Sequence, residues 1–308
     1  MKGLELCESY FWEEGLPALE RACNGLVDRM AAGLVGDGSD CYGYDDEISR
    51  DHDWGPGFCI WLTKGDYEAF STKIQDVYTR LPCTYKGYGP RTASQWGDNR
   101  VGVSEVGAFY SQFVGGYQPP RNYDEWLILP ESALAAATNG KVFRDPLGNF
   151  TQIRCSLLGF YPEDVRLKKI ASRCMSIGQA GQYNFPRCVK RGEFYAAQYS
   201  ETKFCADAMS LVFLLNRTYS PYYKWIHRAV RDLPTLGRYT YESISSLLID
   251  RDCLAKAKQI EAISHTLIQE LRRQGLTDHQ SDFLPDHGPV IQQGIQDKLL
   301  RERSVFVG

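Results

Sequence analysis

Apolar positions in the first half of the chain follow two different periods. Residues 4–35 and 65–80 have apolar side chains three and four positions apart, which predicts amphipathic helices. Continuous apolar runs at 32–36 and 58–62 are short and are typical of buried strands, and the three valines of residues 101–106 predict a further strand. The first half is therefore predicted to form a sheet with helices packed against it.

A turn tetrapeptide, Asp145-Pro146-Leu147-Gly148, separates residues 141–144 from residues 149–153. We predict a β-hairpin here, preceded by a helix over residues 131–138. From Pro162 onward the strand patterns end. Helical periodicity then occupies residues 163–178, 192–216, 219–231, 240–248, 252–274 and 288–303.

The fold class predicted from these patterns is α+β. A mixed sheet with flanking helices is expected over residues 1–155, and an all-α helical bundle over residues 156–308. The charges change sign near the same place. Residues 1–150 carry 13 basic and 22 acidic side chains, a net charge of −9, whereas residues 151–308 carry 22 and 16, a net charge of +6.

Composition excludes several classes of protein. Hydrophobic residues make up 43% of the 308 and charged residues 24%, which is ordinary for a globular protein and excludes a disordered chain. The net charge of −3 gives no strong signal for duplex nucleic acid. No apolar stretch approaches the roughly 20 residues of a membrane span. The N-terminus lacks a signal-peptide core, and the ten cysteines form no Cys-x-x-Cys pair, so we expect a cytoplasmic protein with reduced thiols.

The densest cluster of candidate chemistry is an acidic segment, residues 36–55. Seven carboxylates and one arginine fall between Asp37 and Asp53, interspersed with glycines that let the backbone approach a ligand. We predict that Asp51 and Asp53 lie on a strand leading into residues 58–62, so that both point to one face. Paired carboxylates on a rigid element are suited to Mg²⁺ ions that contact a phosphate.

Two simpler interpretations accompany this one. The acidic segment can be a solvated loop with no ligand. His52 would alternate to the face opposite the two aspartates, and we expect it to be a packed or hydrogen-bonded core histidine. The other histidines lie in the second half of the chain, which gives no support to a histidine–aspartate phosphohydrolase.

The segment carries a family likeness. Gly38-Ser39, followed by Asp51-His52-Asp53-Trp54, resembles the Gly-Ser…Asp-x-Asp signature of the DNA polymerase β-like nucleotidyltransferase superfamily. The longer string Gly38-Ser39-Asp40, Gly43-Tyr44-Asp45-Asp46 and Ser49 to Pro56 is similar to the bacterial DUF4037 family. Residues 182–187 and 222–225 also resemble that family.

The resemblance implies a role for each matching residue. Gly38 and Ser39 would open a turn before a helix and hold the β- and γ-phosphates of a nucleotide, while Asp51 and Asp53 would bind Mg²⁺ or Mn²⁺. A third catalytic carboxylate is expected from a neighbouring strand. Glu105 is the first candidate, and Asp145 is the second, although aspartate is also common at turns for structural reasons.

The remaining acids of the segment leave three alternatives open. They bind further metal, orient Arg50, or contact a cationic substrate; the residues concerned are Asp40, Asp45, Asp46 and Glu47.

The second half contains candidate anion-binding residues. Residues 166–191 include seven basic side chains and no acid, which is consistent with an anion-facing surface. Six residues are candidates for holding the triphosphate of ATP or another NTP: Tyr183, Asn184, Arg187, Arg191, Lys224 and Arg228.

The leading functional hypothesis is a Mg²⁺-dependent nucleotidyltransferase. It would move an NMP, with AMP the first candidate, from an NTP to a hydroxyl acceptor and release pyrophosphate. The acceptor would be a small molecule, a protein or tRNA. The alternatives are a non-catalytic nucleotide-binding or regulatory protein that retains the fold, and an interaction protein whose acidic loop is merely solvated.

Overall fold

The computed structural model describes residues 1–92 and 100–308. A four-stranded sheet consists of β1 (Ala31–Leu34), β2 (Cys59–Leu62), β3 (Gly102–Glu105) and β4 (Lys141–Arg144), in the order β3-β2-β1-β4. β1 is antiparallel to β2 and β4, whereas β2 and β3 are parallel. The sheet is therefore mixed, and the predicted α+β class is confirmed.

The helical elements of the first half are α1 (Gly3–Tyr10), a π-helical turn (Phe11–Gly15), α2 (Leu16–Ala22), a 3₁₀ turn (Val27–Arg29), α3 (Lys64–Thr79), α4 (Val106–Val114), α5 (Tyr123–Ile128), α6 (Glu131–Thr138) and α7 (Asn149–Leu158). Helices predicted in the first half are found at α1, α2, α3 and α6, whereas α4, α5 and α7 correspond to no predicted helix. Thr63 caps α3 by accepting a hydrogen bond from the Asp66 N–H.

One sequence prediction in this half is wrong. Residues 149–153 begin α7 and form no second strand, so the predicted hairpin does not exist. The turn itself does exist. The Asp145 carboxylate accepts a hydrogen bond from the Thr151 N–H at 2.7 Å, inside the first turn of α7. This bond stabilises the start of α7. The sequence did not predict this helix because Phe150, Thr151 and Ile153 are residue types common in strands.

The two faces of β2 have different surroundings. Phe58, Ile60 and Leu62 belong to a core cluster that also contains residues of α1, α2 and α3. Cys59 and Trp61 alternate with them, as the two-residue period of a strand requires. Trp61 stacks on Phe150 with ring centroids 3.7 Å apart. One face of β2 thus builds the core, and the other leaves room for a cavity.

The chain forms two compact units. Unit 1 comprises residues 1–120 and 133–159, and unit 2 comprises residues 121–132 and 160–308. The last element before Phe160 is α7, and every described element after it is helical.

Unit 2 is an all-helical assembly. Its elements are α5, α8 (Glu163–Ile177), a π-helical segment (Gly178–Asn184), α9 (Phe185–Arg191), α10 (Phe194–Leu215), α11 (Tyr223–Val230), α12 (Gly237–Ile249), α13 (Cys253–Arg273), a 3₁₀ turn (Leu284–Asp286), α14 (His287–Gln293) and α15 (Lys298–Arg301). None of the helices among the residues described here combines the length and apolar character needed to span a bilayer.

The basic side chains of α8 are structural, contrary to the anion-facing surface expected there. Arg166 donates to the Leu214 carbonyl at 3.0 Å and to Glu163 at 2.7 Å. Lys168 is fully buried and donates to the Gln292 side chain and to the carbonyls of Arg303 and Ser304. Arg173 and Lys169 are likewise bonded inside unit 2. Buried cations need such partners, so these four residues hold helices together.

Candidate functional site

A polar cavity of about 440 Å³ lies in unit 1, on the sheet face that Cys59 and Trp61 occupy. The turn after β1, the strand β3 and the helix α4 form its walls. Its polar lining includes Asp37, Asp40, Gln75, Arg91, Arg100, Ser104 and Gln112. Its volume is within the range of sites that bind small molecules.

The turn that follows β1 is held by an asparagine. Asn139 accepts from the Gly36 N–H at 2.9 Å and donates to the Gly36 carbonyl at 2.7 Å. Gly36 has a φ of 127°, a conformation that glycine adopts without strain. A Cβ on Gly38 would lie 2.3 Å from an Asp40 carboxylate oxygen, so a larger residue here would have to displace that carboxylate.

The turn predicted at Gly38-Ser39 is present, but the predicted helix is not. The Ser39 carbonyl accepts from the Tyr44 N–H at 2.8 Å, and residues 39–43 form further turns. Glycine at position 43, with a φ of 68°, favours a turn over a helix.

Arg91 connects the turn after β1 to the loop before β2. Its guanidinium donates to the Asp40 carboxylate at 2.6 Å and to the Asp53 carbonyl at 2.8 Å. Only 9% of its side chain is exposed, and 2% of that of Asp40. Burial alone would lower the pKa of Arg91, but the Asp40 carboxylate, together with the Cys7 and Cys41 side chains, raises it above its ordinary value. The pair fixes the backbone of the candidate site.

Asp51 and Asp53 do not lie on a strand, which corrects the prediction. Residues 51–53 form bends before β2, and Asp53 has a φ of 50°. The Asp51 side chain is 64% exposed and pairs with His52 at 2.8 Å, so His52 is a surface residue and not the expected core histidine. The Asp53 side chain is 6% exposed and lies 3.3 Å from Arg100. The two carboxylates are therefore in different environments.

The two candidates for the third carboxylate lie elsewhere. Glu105 ends β3 and pairs in register with Leu62, at the end of β2 away from the loop that contains Asp53. It lines a separate cavity of about 300 Å³ with residues of α4 and α7. Asp145 holds the start of α7, as described above.

The other acids of the segment divide into buried and exposed pairs. Asp40 binds Arg91, and Asp45 accepts from the Gly3 N–H at 2.8 Å and from the Trp54 indole N–H at 3.0 Å. Asp46 accepts from Ser49, and Glu47 is exposed. Arg50 lies over the Trp54 ring at 4.8 Å. Asp40 and Asp45 thus hold the acidic segment in place through their buried partners, whereas Asp46 and Glu47 are exposed.

The described residues do not provide a complete metal centre. In the ranges 1–92 and 100–308, no three histidine, cysteine, aspartate or glutamate side chains lie close enough together to hold an ion. A cation at the Asp53 carboxylate would also have to displace the Arg100 guanidinium.

The six candidate triphosphate ligands from the second half of the sequence all belong to unit 2. Tyr183, 48% exposed, carries the Arg187 guanidinium 4.6 Å above its ring. Asn184 is partly buried in the π-helical segment, and Arg191 is exposed. Lys224 and Arg228 are exposed on α11, with Lys224 over the Trp225 ring.

Sequence reasoning missed the residues that shape the cavity most directly. Arg91, Arg100 and Asn139 have no motif around them beyond the Asn139-Gly140 turn signal. Their roles depend on partners 38 to 103 positions away in the chain. Sequence reasoning also missed Trp61, whose buried indole N–H has no hydrogen-bond partner among the described residues.

Comparison with known proteins gives two similarities. Residues 126–226 match the model of DUF4037, a domain of unknown function. A nucleotidyltransferase-like protein from Exiguobacterium sibiricum 255-15 is 12% identical in sequence. The alignment covers 85% of this chain and 77% of that one, with a TM-score of 0.38. No curated protein shows significant similarity. The resemblance at residues 182–187 and 222–225 falls inside the matched region.

Proposed function

We propose that this chain is a nucleotidyltransferase that takes ATP or another NTP in the unit 1 cavity. It would transfer the NMP to a hydroxyl acceptor and release pyrophosphate. The observation that carries the proposal is the glycine-rich turn of residues 36–39, which leaves β1 at the cavity wall and bears the Gly38-Ser39 motif. Turns of this kind offer backbone N–H groups to phosphate oxygens.

Two donors in the cavity support an anionic ligand. Arg100 is 34% exposed and lines the cavity, so its guanidinium is accessible. Trp61 is 1% exposed, and an acceptor on a ligand would satisfy its buried indole N–H. A buried polar group without a partner costs about 1–3 kcal/mol, which a bound acceptor would recover.

The other assignments from the resemblance remain part of the proposal. Asp51 and Asp53 would act at the reacting phosphate, with Glu105 as the third carboxylate. In unit 2, the candidates for binding nucleotide phosphates are Tyr183, Asn184, Arg187, Arg191, Lys224 and Arg228.

Nucleotidyltransferases of this superfamily use Mg²⁺ or Mn²⁺, which neutralises charge on the phosphates. Asp51, Asp53 and Glu105, placed as described above, do not form a group among the described residues that fits such an ion. The turn, Arg100 and Trp61 would bind and orient the nucleotide.

The same arrangement favours a second candidate function, nucleotide binding without transfer. Asp53 is paired with Arg100, and Glu105 lines a different cavity. A binding protein needs the cavity and its donors but not an assembled carboxylate set. Such a protein would use no acceptor substrate, and its regulatory signal would be whether a nucleotide is bound.

Calorimetric titration and label transfer separate these functions. Each NTP is titrated with Mg²⁺ or Mn²⁺ into the protein and into three variants, Arg100→Gln, Asp53→Asn and Asp46→Asn. The last is a control, because Asp46 is an exposed acid of the same segment. Transfer of α-phosphate label to an acceptor hydroxyl, lost in Asp53→Asn and kept in Asp46→Asn, supports the transferase. Binding with no transfer supports the second function. The absence of binding contradicts both.

A further inference from the structure

The surface of unit 2 exposes an unusual group of aromatic side chains near the start of α10. Phe194 is 68% exposed, Tyr195 84% and Tyr199 63%. Soluble proteins rarely leave contiguous apolar surface open without a binding role. These three rings lie within six residues of sequence.

Local structure fixes where these rings point. Gly192, with a φ of 75°, ends α9 in a left-handed conformation, and α10 begins at Phe194. The positions of α10 that face the core include Ala197, Ser200 and Phe204, all of them buried. Tyr195 and Tyr199 are four residues apart and share the opposite, outward face.

Three basic side chains precede the aromatic rings in the chain, on the helix that leads into α10. Arg187, Lys190 and Arg191 are exposed on α9. Within the described part of the chain, none of the three forms an ion pair with an acidic side chain. By contrast, other basic residues of unit 2, such as Arg238 and Lys256, are paired. We call Arg187, Lys190, Arg191, Phe194, Tyr195 and Tyr199 the aromatic–basic surface.

A recess adjoins this surface. A cavity of about 320 Å³ is lined by Gly181 and Pro186 on one side and by Ala257, Lys258 and Glu261 of α13 on the other. Pro186 precedes Arg187 directly in the chain, so the recess opens beside the first basic residue of the aromatic–basic surface. A planar ring could enter it next to Lys258.

We propose that the aromatic–basic surface binds a single-stranded polynucleotide. Exposed rings stack on bases whatever their identity, and nearby cations neutralise the backbone phosphates; together these are the features of single-strand binding sites. A protein partner would use the rings but would leave three cations facing no defined anion. Duplex nucleic acid would keep its bases stacked inside and would gain nothing from the rings.

The inference goes beyond the proposed function and does not depend on it. A single nucleotide carries one base, whereas the surface offers several rings and three cations. Arg187 and Arg191 are also among the candidates for binding nucleotide phosphates, whereas Lys190, Phe194, Tyr195 and Tyr199 are not.

Fluorescence anisotropy with labelled 15-nucleotide oligomers tests the proposal. Poly(U), poly(dT) and a duplex of the same length serve as probes. Single strands should bind more tightly than the duplex. Tyr195→Ala and Tyr199→Ala should each weaken binding at least about five-fold, because loss of one stacked base costs 1–3 kcal/mol. Tyr195→Phe should keep the affinity, because the ring remains.

Salt dependence provides a second readout. Three phosphate contacts predict a slope of log affinity against log salt of about −2 for a single strand. Lys190→Gln should reduce that slope by about 0.7. Arg251→Gln and Leu299→Ala are the matched controls, because they remove an exposed basic side chain and an exposed apolar side chain elsewhere in unit 2. Both should bind as the unchanged protein does.

Three results would overturn the proposal. The first is no single-strand binding at micromolar protein concentrations. The second is binding that the tyrosine variants leave unchanged. The third is self-association, measured by sedimentation, that depends on Tyr195 and Tyr199 while the oligomers do not bind. Failure of NTP binding in unit 1 leaves the anisotropy result standing.

Discussion

Replacement of Asp40 by asparagine is the most informative perturbation of the candidate site. Asp40 is the buried anion that pairs with the buried Arg91 at 2.6 Å. Arg91 in turn donates to the Asp53 carbonyl, so the pair connects the turn after β1 to the loop before β2. Asparagine keeps the size of the side chain and removes its charge.

The expected loss of stability follows from burial. Breaking a buried ion pair by removing one partner costs about 3–5 kcal/mol, because the remaining charge is left uncompensated. That is a large fraction of the roughly 5–15 kcal/mol that stabilises a typical protein. Asp46→Asn changes an exposed acid of the same segment and should cost less than about 1 kcal/mol.

Urea unfolding, followed by hydrogen exchange of peptides that cover β1 and β2, measures the effect within unit 1. The Asp40→Asn variant should show faster exchange in both strands, while peptides of α10 in unit 2 exchange as before. A stability within about 1 kcal/mol of the unchanged protein would refute the reasoning, because it would mean that Arg91 does not depend on Asp40.

Three further predictions concern the rest of the molecule. Gly140 has a φ of 60°, and a Cβ there would lie 2.0 Å from the Leu34 carbonyl, so Gly140→Ala should destabilise unit 1 by several kcal/mol in urea unfolding. Gly148→Ala, with a similar φ and open space, should cost only about 1 kcal/mol. Burial lowers the pKa of Lys169 to about 8, so this lysine loses its proton at a lower pH in the folded state than in the unfolded state. The stability of the protein relative to Lys169→Met should therefore rise between pH 8 and 10.5, by up to about 3 kcal/mol; a flat difference would contradict this. Cys83 and Cys155 are the exposed thiols and should react first with a disulfide reagent, before any buried cysteine.

Much of the fold follows from hydrophobic periodicity. The strands around residues 58–62 and 101–106 and the helix over 65–80 are found within a few residues of their predicted limits. Five of the six helices predicted after Pro162 are also found near their predicted limits, because their apolar positions repeat over many turns. Residues 288–303, predicted as one helix, instead form the two short helices α14 and α15. The hairpin failed because residues 149–153 are too short a segment to show a period. Its β-branched and aromatic residues do not prevent the helix, whose first turn is held by the hydrogen bond that the Thr151 N–H donates to the Asp145 carboxylate.

The candidate site was harder to predict. Motif resemblance located the turn at Gly38-Ser39 at the cavity, but it also implied a strand for Asp51 and Asp53 that the chain does not form. The partners that decide their environment, Arg91 and Arg100, are distant in sequence and belong to no motif. The basic side chains of α8 were wrongly predicted to face an anion for a similar reason. A sequence does not reveal which cations are buried with carbonyl partners.

The central claim is that the unit 1 cavity binds a nucleotide through its own donors. Calorimetric titration of ATP, with Mg²⁺ present, into the protein and the Arg100→Gln variant tests this most directly. We predict a single site whose affinity falls at least about ten-fold in the variant, because a charged hydrogen bond contributes about 1.5–3 kcal/mol. Binding that is unchanged in Arg100→Gln, or no binding for any NTP, would contradict it.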